Sequence, residues 1–273
     1  MAKSQLTPSP VGRVLRDWRG LRSMSQLDLA LAAEVSSRHL SFVETGRAQP
    51  SRELLRRLGE ALEIPLRAHN ELATAAGFAA PFRETPLAHA ELARARQALD
   101  LILDKQEPYP AIVLDRHWNM MMGNDAAARL FALILPQAFD NGPLNIMRLM
   151  FDPEGARPYV VDWPTVARAM ISRARREAAT LGPDTESEAL IEEMLSYPDV
   201  PRDWATPGEA DLAPFLTVTL EKDGLRLSWF STMTTFGTAQ DITLQELYIE
   251  SFFPADDDTA TLAKHLAESD GTP

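Results

Sequence analysis

The stretch Ser36-Ser37-Arg38-His39-Leu40-Ser41-Phe42-Val43-Glu44-Thr45-Gly46-Arg47 determines how the first quarter of the chain folds. Leu40 and Val43 are three residues apart, so they share one face of a helix over about 37–44. Gly46 suits the left-handed conformation that ends a helix. Upstream, Ser25 is a good N-cap for a helix over about 26–33, and residues 34–36 form a tight turn. Two short helices joined by such a turn predict a helix-turn-helix, in which the quoted stretch is the second helix.

Three more helices flank this motif. Before it, apolar residues recur at helical spacing at Val11, Val14, Leu15, Trp18 and Leu21. After Pro50-Ser51, the same spacing recurs at Leu54, Leu55, Leu58 and Leu62, and a fifth helix over about 66–76 stops at Gly77. The sequence therefore predicts an all-α domain of five helices over residues 11–77, after a polar, mobile lead-in over residues 1–10.

A second domain follows a Pro-containing linker at residues 78–88 and extends over 89–262, with residues 263–273 as a tail. Helices are predicted at about 90–105, 124–133, 166–179 and 187–195. Strands are predicted at 111–114 and 118–122, at 215–220 and 225–230 on either side of the turn Glu221-Lys222-Asp223-Gly224, and at 247–253. The order of strands, helices and strands predicts a multidomain chain that ends in an α+β domain, in which helices cover one face of an antiparallel sheet.

Charge is divided unevenly between the two predicted domains. The whole chain has a net charge of −12, but residues 1–70 contain 11 Lys and Arg against 7 Asp and Glu. The remaining residues contain 16 basic and 32 acidic side chains. A basic first domain fits a nucleic-acid partner, whereas an acidic body repels phosphate.

The chain has no cysteine, which excludes disulfides and thiolate metal sites. No apolar run is long enough to cross a bilayer, so we expect a cytoplasmic protein without membrane insertion.

The helix-turn-helix predicts contact with double-stranded DNA. In this motif the N-terminal residues of the second helix meet base edges in the major groove. Arg38 is expected to bind guanine, Phe42 to contact a thymine methyl, and Gln26, Arg47 and Arg52 to bind phosphates. The candidate DNA-binding residues are Gln26, Ser36, Ser37, Arg38, His39, Ser41, Phe42, Arg47 and Arg52. The alternative is an ordinary helical hairpin whose polar residues are solvated.

The second domain contains enough large apolar side chains to line a pocket. The candidate ligand-binding residues are Trp118, Met120, Met122, Phe131, Met147, Trp163, Phe230 and Phe236, with Arg148 as a cationic anchor. Methionine adapts to irregular spaces and suits both a pocket and a core. The alternatives are that the apolar residues form plain core and that Arg148 makes a surface salt bridge.

Signals for catalysis are weak. The five histidines are isolated, and the sequence has neither a nucleophile elbow nor a phosphate-binding glycine loop. The acidic clusters at Glu192-Glu193 and 256–258 lack further ligands at metal-site spacing, and solvated surface is the simpler interpretation. Arg173, Arg175, Arg176 and Glu177 form a charged helix face, which is interpreted as solvated or as a subunit contact. We therefore expect no enzyme activity, no metal and no cofactor.

Several motifs also resemble known families. Ser25-Gln26, Val35-Ser36, Glu44-Thr45-Gly46-Arg47 and Pro50-Ser51 resemble the Cro/phage-repressor (XRE) helix-turn-helix family. That family usually places Gly in the turn where this chain has Glu34. Further motifs are similar to the MmyB-like transcription regulators, namely Arg83-Glu84-Thr85-Pro86-Leu87, Glu107-Pro108-Tyr109-Pro110-Ala111, Arg116-His117-Trp118-Asn119, Leu227-Ser228-Trp229-Phe230-Ser231-Thr232 and Phe252-Phe253-Pro254-Ala255-Asp256.

This resemblance implies a repressor-like head followed by a PAS-like ligand-binding domain, with a fatty acid or similar apolar acid as ligand. We expect a DNA-binding transcription regulator, acting as a homodimer on an operator with two half-sites, whose affinity for DNA is modulated by a small apolar ligand. Two alternatives remain open. The second domain could bind a protein partner instead of a metabolite, or the chain could be an enzyme with a DNA-binding head.

Overall fold

The structure is a computed structural model that describes residues 9–135, 143–182, 184–205 and 215–270. The chain forms two compact units. The first, which we call the head, contains the chain up to Thr85 together with Thr238–Gln245. The second, the body, contains Pro86–Gly237 and the chain from Glu246 onward. Most of the expected lead-in and the end of the expected tail lie outside the described residues.

The head is built on five helices, as predicted. They are α1 (Pro10–Leu21), α2 (Gln26–Ala32), α3 (Ser37–Glu44), α4 (Arg52–Ala61) and α5 (Leu66–Ala75). Each of the first four helices begins at a serine whose hydroxyl accepts a hydrogen bond from a backbone N–H of the first turn. These N-cap residues are Ser9, Ser25, Ser36 and Ser51. These caps satisfy amide groups that have no partner within the helix. The expected all-α fold is therefore confirmed.

The turn between α2 and α3 places Glu34 in the left-handed region, at φ +55°. The backbone N–H of Val35 donates to the carbonyl of Ala30 (2.9 Å), which closes the end of α2. A side chain with a Cβ pays roughly 1–2 kcal/mol for this conformation, which glycine adopts freely. Glu34 occupies the position where the XRE pattern usually has glycine, and its left-handed backbone explains that preference.

Helices α1 and α3 pack with their backbones almost touching. A Cβ built on Gly12 of α1 would lie 1.8 Å from the carbonyl oxygen of Glu44 at the end of α3. Only glycine fits this crossing without a shift of one helix. The core beneath it is made of leucines that are at most 1% exposed, namely Leu15, Leu29, Leu40, Leu58, Leu62 and Leu72.

The body contains one five-stranded antiparallel sheet. Its strands are β1 (Ala111–Leu114), β2 (Met120–Gly123), β3 (Thr217–Lys222), β4 (Leu225–Thr234) and β5 (Tyr248–Pro254), in the order β2-β1-β5-β4-β3. The β3–β4 hairpin turns at Asp223 (φ +52°) and Gly224 (φ +80°). Two consecutive positive φ angles define the type I′ turn that suits the twist of a hairpin. The predicted hairpin and antiparallel sheet are confirmed.

Seven further helices are described. They are α6 (Ala93–Gln106), α7 (Asp125–Ile134), α8 (Ile146–Phe151), α9 (Trp163–Leu181), α10 (Thr185–Ser196), α11 (Ile242–Glu246) and α12 (Asp257–Asp270). Helices α8 and α11 were not predicted, and α12 extends into the expected tail as far as Asp270. The sheet and α7–α10 bury a common core around Met147, Phe151 and Ile171, which are fully buried.

A short segment from late in the chain completes the head. The Gln245 side-chain oxygen accepts a hydrogen bond from the backbone N–H of Leu66 (2.7 Å), the first residue of α5. The backbone N–H of Ile242 donates to the carbonyl of Arg83 (2.9 Å). Pro65 precedes α5 and has no polar side chain to cap it, so Gln245 supplies the acceptor that the local sequence lacks. The boundaries expected from the sequence assign Thr238–Gln245 to the second domain, whereas these residues belong to the head.

Replacing Glu34 with glycine is expected to stabilise the protein by about 0.5–1 kcal/mol. The gain is the relief of left-handed strain, reduced by the greater freedom of glycine in the unfolded chain. Equilibrium unfolding in urea, followed by circular dichroism, measures the difference. Glu34→Ala is the matched control, because it removes the carboxylate but keeps the Cβ, and it should change stability by less than about 0.5 kcal/mol. A similar gain in both variants would mean that charge, not backbone strain, sets the cost.

Candidate functional site

The first turn of α3 is an exposed polar surface. Ser36, Ser37, Arg38 and His39 are all exposed, whereas Leu40 points into the core. The Ser36 hydroxyl accepts a hydrogen bond from the backbone N–H of His39 (3.2 Å), which fixes the start of the helix. In a helix-turn-helix this turn meets the base edges. The fold thus brings four of the candidate DNA-binding residues into one accessible turn.

Phe42 orders two arginines beside that turn. The guanidinium carbon of Arg38 lies 5.4 Å from the Phe42 ring centroid, and that of Arg47 lies 6.0 Å from it. Both arginines are exposed, while Phe42 and Ser41 are half-buried. A cation over an aromatic face is held there by the charge distribution of the ring. The arrangement presents two positive charges and an apolar ring together.

Arg52 and Gln26 are also held by contacts within the head. The guanidinium carbon of Arg52, the first residue of α4, lies 5.0 Å from the ring centroid of Phe78. The side-chain amide of Gln26 donates to Oε2 of Glu44 (3.0 Å). This contact takes one of the two amide hydrogens that Gln26 could offer to a phosphate, and it fixes the side chain at the start of α2.

Glu44 is a structural residue that sequence reasoning missed. Its side chain is 3% exposed and accepts hydrogen bonds from Nε of Arg19 (2.9 Å) and from Gln26. Arg16 donates to its backbone carbonyl (2.9 Å). One buried carboxylate therefore joins α1, α2 and α3. The available signal was the pair Arg16 and Arg19, which are spaced to lie on one side of α1.

The body encloses a cavity of about 560 Å³ between its sheet and helices α7, α8 and α9. This volume lies in the range of small-molecule sites. Its lining is mostly apolar and includes Ile112, Leu130, Ile146, Leu149, Met170, Val218, Leu220 and Phe252. Strand register explains the sheet wall, because Ile112 pairs with Glu250, and Glu250 pairs with Met233. Paired residues of neighbouring strands point to the same face of a sheet.

Four polar residues line this cavity, namely Arg173, Arg176, Ser231 and Glu250. Nη1 of Arg173 lies 3.1 Å from both carboxylate oxygens of Glu250, and its Nε donates to Glu177 (2.8 Å). The Ser231 hydroxyl donates to Oε1 of Glu250 (2.6 Å). The Arg173 guanidinium lies over Trp118, 4.4 Å from its ring centroid. One wall of the cavity is therefore a connected polar network.

Burial and charge oppose each other in this network. Burial lowers the pKa of Arg173, but the carboxylates of Glu250 and Glu177 outweigh it and hold that pKa above its ordinary value. Burial raises the pKa of Glu177, and Arg173 only partly offsets this effect. Burial also raises the pKa of Tyr248, whose ring centroid lies 5.3 Å from the Arg173 guanidinium. Arg173 therefore remains charged, and its charge is balanced from within the protein.

Of the candidate ligand-binding residues, Trp118 and Phe131 line the cavity. The others lie outside its lining. Met147 and Trp163 are buried in the surrounding core, Met120 packs against it, and Met122 is a half-buried residue of β2. Phe230 stacks on Phe253 at 5.5 Å between ring centroids, and Phe236 is half-buried after the end of β4.

Arg148, the expected anchor, lies on the surface. Its guanidinium binds the Glu193 carboxylate through Nε (2.8 Å) and Nη2 (2.9 Å). Its side chain is 54% exposed and is not part of the cavity lining. The arginines of the cavity are Arg173 and Arg176, which sequence reasoning assigned to a solvated helix face or a subunit contact. Their signal was helical spacing with Ala169 and Met170.

Comparison with known families matches both parts of this architecture. The family model of the MmyB-like transcription regulator ligand binding domain matches residues 95–266, more than half of the chain. The chain belongs to this family. A helix-turn-helix family model matches residues 15–68 of this MmyB-like chain. The resemblance inferred from the sequence motifs is confirmed.

One similar solved structure is titled "Structure of an RNA-binding Light-Oxygen-Voltage Receptor", with 13% identity and a TM-score of 0.25. The alignment covers 96% of this chain and 63% of that chain, so this chain spans less than two thirds of that protein. No curated protein matches the chain.

The described ranges contain neither a candidate membrane span nor a metal-binding cluster. None of the helices described there combines the length and apolar character needed to span a membrane. Within the same residues, no group of three or more His, Asp or Glu side chains is placed to hold a metal ion.

Replacing Glu44 with alanine is expected to destabilise the head by about 3 kcal/mol, because Arg19 and Gln26 lose a buried partner. Urea unfolding of the full chain, followed by circular dichroism at a wavelength that reports helix, measures the loss. Glu60→Ala is the matched control. Glu60 is 56% exposed and pairs with Arg56 on the surface of α4, so its removal should cost at most about 1 kcal/mol. Equal losses in the two variants would contradict the joining role of Glu44.

Proposed function

We propose that this chain is a ligand-responsive transcription regulator. The head binds double-stranded operator DNA, and the body binds a small apolar molecule that alters the affinity of the head for DNA. The observation that carries the proposal is the mostly apolar cavity of about 560 Å³ in a chain that also contains a helix-turn-helix. Regulation of this kind requires the ligand to bind one arrangement of the protein better than another.

In the proposed complex, the first turn of α3 enters the major groove. Arg38 binds the acceptors of a guanine, and Phe42 contacts a thymine methyl. The rest of the surface that faces the bases lies in and beside that turn and consists of Ser36, Ser37, His39 and Ser41. In the same orientation, the phosphates are bound by Arg47, Arg52 and Gln26. Gln26 uses its backbone N–H or its remaining side-chain amide hydrogen.

The proposed ligand is apolar over most of its length. A fatty acid is the ligand that the resemblance to the MmyB-like regulators implies, and the mostly apolar lining that includes Trp118 and Phe131 supports a chain of this kind. We propose that two copies of the protein act on two related half-sites, because a single head offers few phosphate contacts and the body is acidic. We propose that the protein acts in the cytoplasm.

The DNA-binding part is tested by the opposite behaviour of two arginines. A preferred duplex is first selected from random sequences with the full-length protein. Arg38→Ala is then expected to lower the preference at one base pair by about 1–3 kcal/mol, because it removes a base contact. Arg47→Ala is expected to weaken binding to all duplexes about equally, because it removes a phosphate contact. Fluorescence anisotropy on the selected and the mismatched duplexes separates the two effects.

Arg56→Ala serves as the control for both variants. It removes the same charge from the head, but Arg56 is already paired with Glu53 and Glu60 on α4. Its affinity for every duplex should stay close to that of the unchanged protein. Selection of no preferred duplex would contradict the proposed function, and an exchange of the Arg38 and Arg47 effects would contradict the proposed docking of α3.

A further inference from the structure

Two arginines of the cavity wall lie three residues apart on α9 but differ in their surroundings. Arg173 is held on three sides, by Glu177, by Glu250 and by the Trp118 ring. Its two ion pairs neutralise its charge within the protein. Its Nη2 atom has no hydrogen-bond partner among the described residues, but solvent does not reach this atom. A ligand could meet it only after the wall had been rearranged.

Arg176 is exposed and lines the same cavity. Its Nη1 donates to the hydroxyl of Ser172 (2.9 Å), and no ion pair to it is found in the described part of the chain. The adjacent Glu177 is near enough for Arg176 to lower its pKa, but the Glu177 carboxylate is bonded to Arg173. Arg176 therefore has donors that are still available to a ligand.

Apolar side chains mark the mouth of the cavity. Phe215 is 61% exposed and Met233 is 49% exposed, and both belong to the cavity lining. Single exposed apolar side chains are ordinary, but apolar surface that borders a groove can mark a ligand-binding site. Arg176 is likewise an exposed residue of the lining, so the part of the lining that reaches solvent includes both apolar side chains and a cation.

The interior of the cavity is unfavourable for an anion. Beyond the arginines, the polar residues of the lining are Ser231 and Glu250, and the Ser231 hydroxyl already donates to Glu250. The indole rings of Trp118 and Trp229 also belong to the lining, and the buried Nε1 of Trp229 has no hydrogen-bond partner among the described residues. Both Glu250 oxygens accept from Arg173, and the carboxylate is 9% exposed in its side chain. A second carboxylate placed beside Glu250 would be repelled and would have to shed its water. An apolar chain meets no such penalty.

We infer that the proposed apolar acid binds with its chain in the cavity and its anionic head group at the mouth, against Arg176. The inference rests on the proposed ligand-binding function and adds the orientation of the ligand and the residue that selects its charge. Arg173 forms part of the wall and does not bind the head group. Arg148, the anchor expected from the sequence, has no part in it.

Decanoate and decan-1-ol test this orientation, because they share a chain and differ in the charge of the head group. Their dissociation constants for the full-length protein, stripped of bound lipid, are measured by calorimetry at pH 7.4. Arg176→Gln is expected to weaken decanoate about fivefold, the value of one exposed charge-assisted contact, and to leave decan-1-ol unchanged. Arg176→Lys should recover most of the loss, since it keeps the charge. Added salt should weaken decanoate only where residue 176 is cationic.

Arg148→Gln is the matched control, because it removes an exposed arginine of the body outside the cavity, and both ligands should bind it as they bind the unchanged protein. An equal loss for decanoate and decan-1-ol in Arg176→Gln would overturn the inference and show a role in shaping the cavity. A loss of decanoate binding in Arg148→Gln alone would overturn it in favour of the surface arginine. If neither ligand binds the unchanged protein, the proposed apolar-ligand function itself is contradicted.

Discussion

The hydrogen bonds of the buried Glu44 carboxylate are the interactions on which the head depends. The carboxylate accepts hydrogen bonds from Arg19 of α1 and Gln26 of α2 at the end of α3, where Gly12 lets the helix backbones touch. A buried charge is stable only when it is paired and hydrogen-bonded, so the helices cannot separate without exposing an unsatisfied group. The same contacts fix the angle of α3 and thus the exposed turn from Ser36 to His39. The proposed DNA-reading surface follows from this internal constraint.

The body is organised by a similar balance of buried charge. The side chain of Arg173 on α9 donates hydrogen bonds to Glu250 on the sheet, and its guanidinium lies over the Trp118 ring. This network links the helical layer to the sheet along one wall and leaves the remaining space apolar. Such a wall leaves most of the lining apolar, and a second carboxylate placed beside Glu250 would be repelled. The two arginines differ in their proposed roles because Arg173 is already paired with carboxylates of the protein, whereas Arg176 is available to a ligand.

Local sequence signals predicted the head well, because four of its five helices begin at serine caps, and α3 and α5 are followed by Gly46 and Gly77 in the left-handed region. The β3–β4 hairpin was equally readable from Asp223-Gly224. The cavity was much less so. Trp118 and Phe131 were identified, but Arg176 was assigned to a charged helix face, since spacing along one helix does not reveal what another element covers. The same limit applies to Gln245, whose contact with Leu66 joins residues far apart in the chain. Arg148 was chosen for its apolar neighbours, but its partner Glu193 lies on another helix.

The most direct test of the account is the affinity of the full-length protein for its selected duplex with the cavity empty and filled. The compound released on denaturation is first identified by mass spectrometry, and protein stripped of it is compared with protein to which it has been returned. The account predicts that the dissociation constant for DNA changes by at least about fivefold, the lower end of typical coupling between two sites. Identical DNA affinities in the empty and filled states, with binding of the compound verified in the same samples, would contradict it.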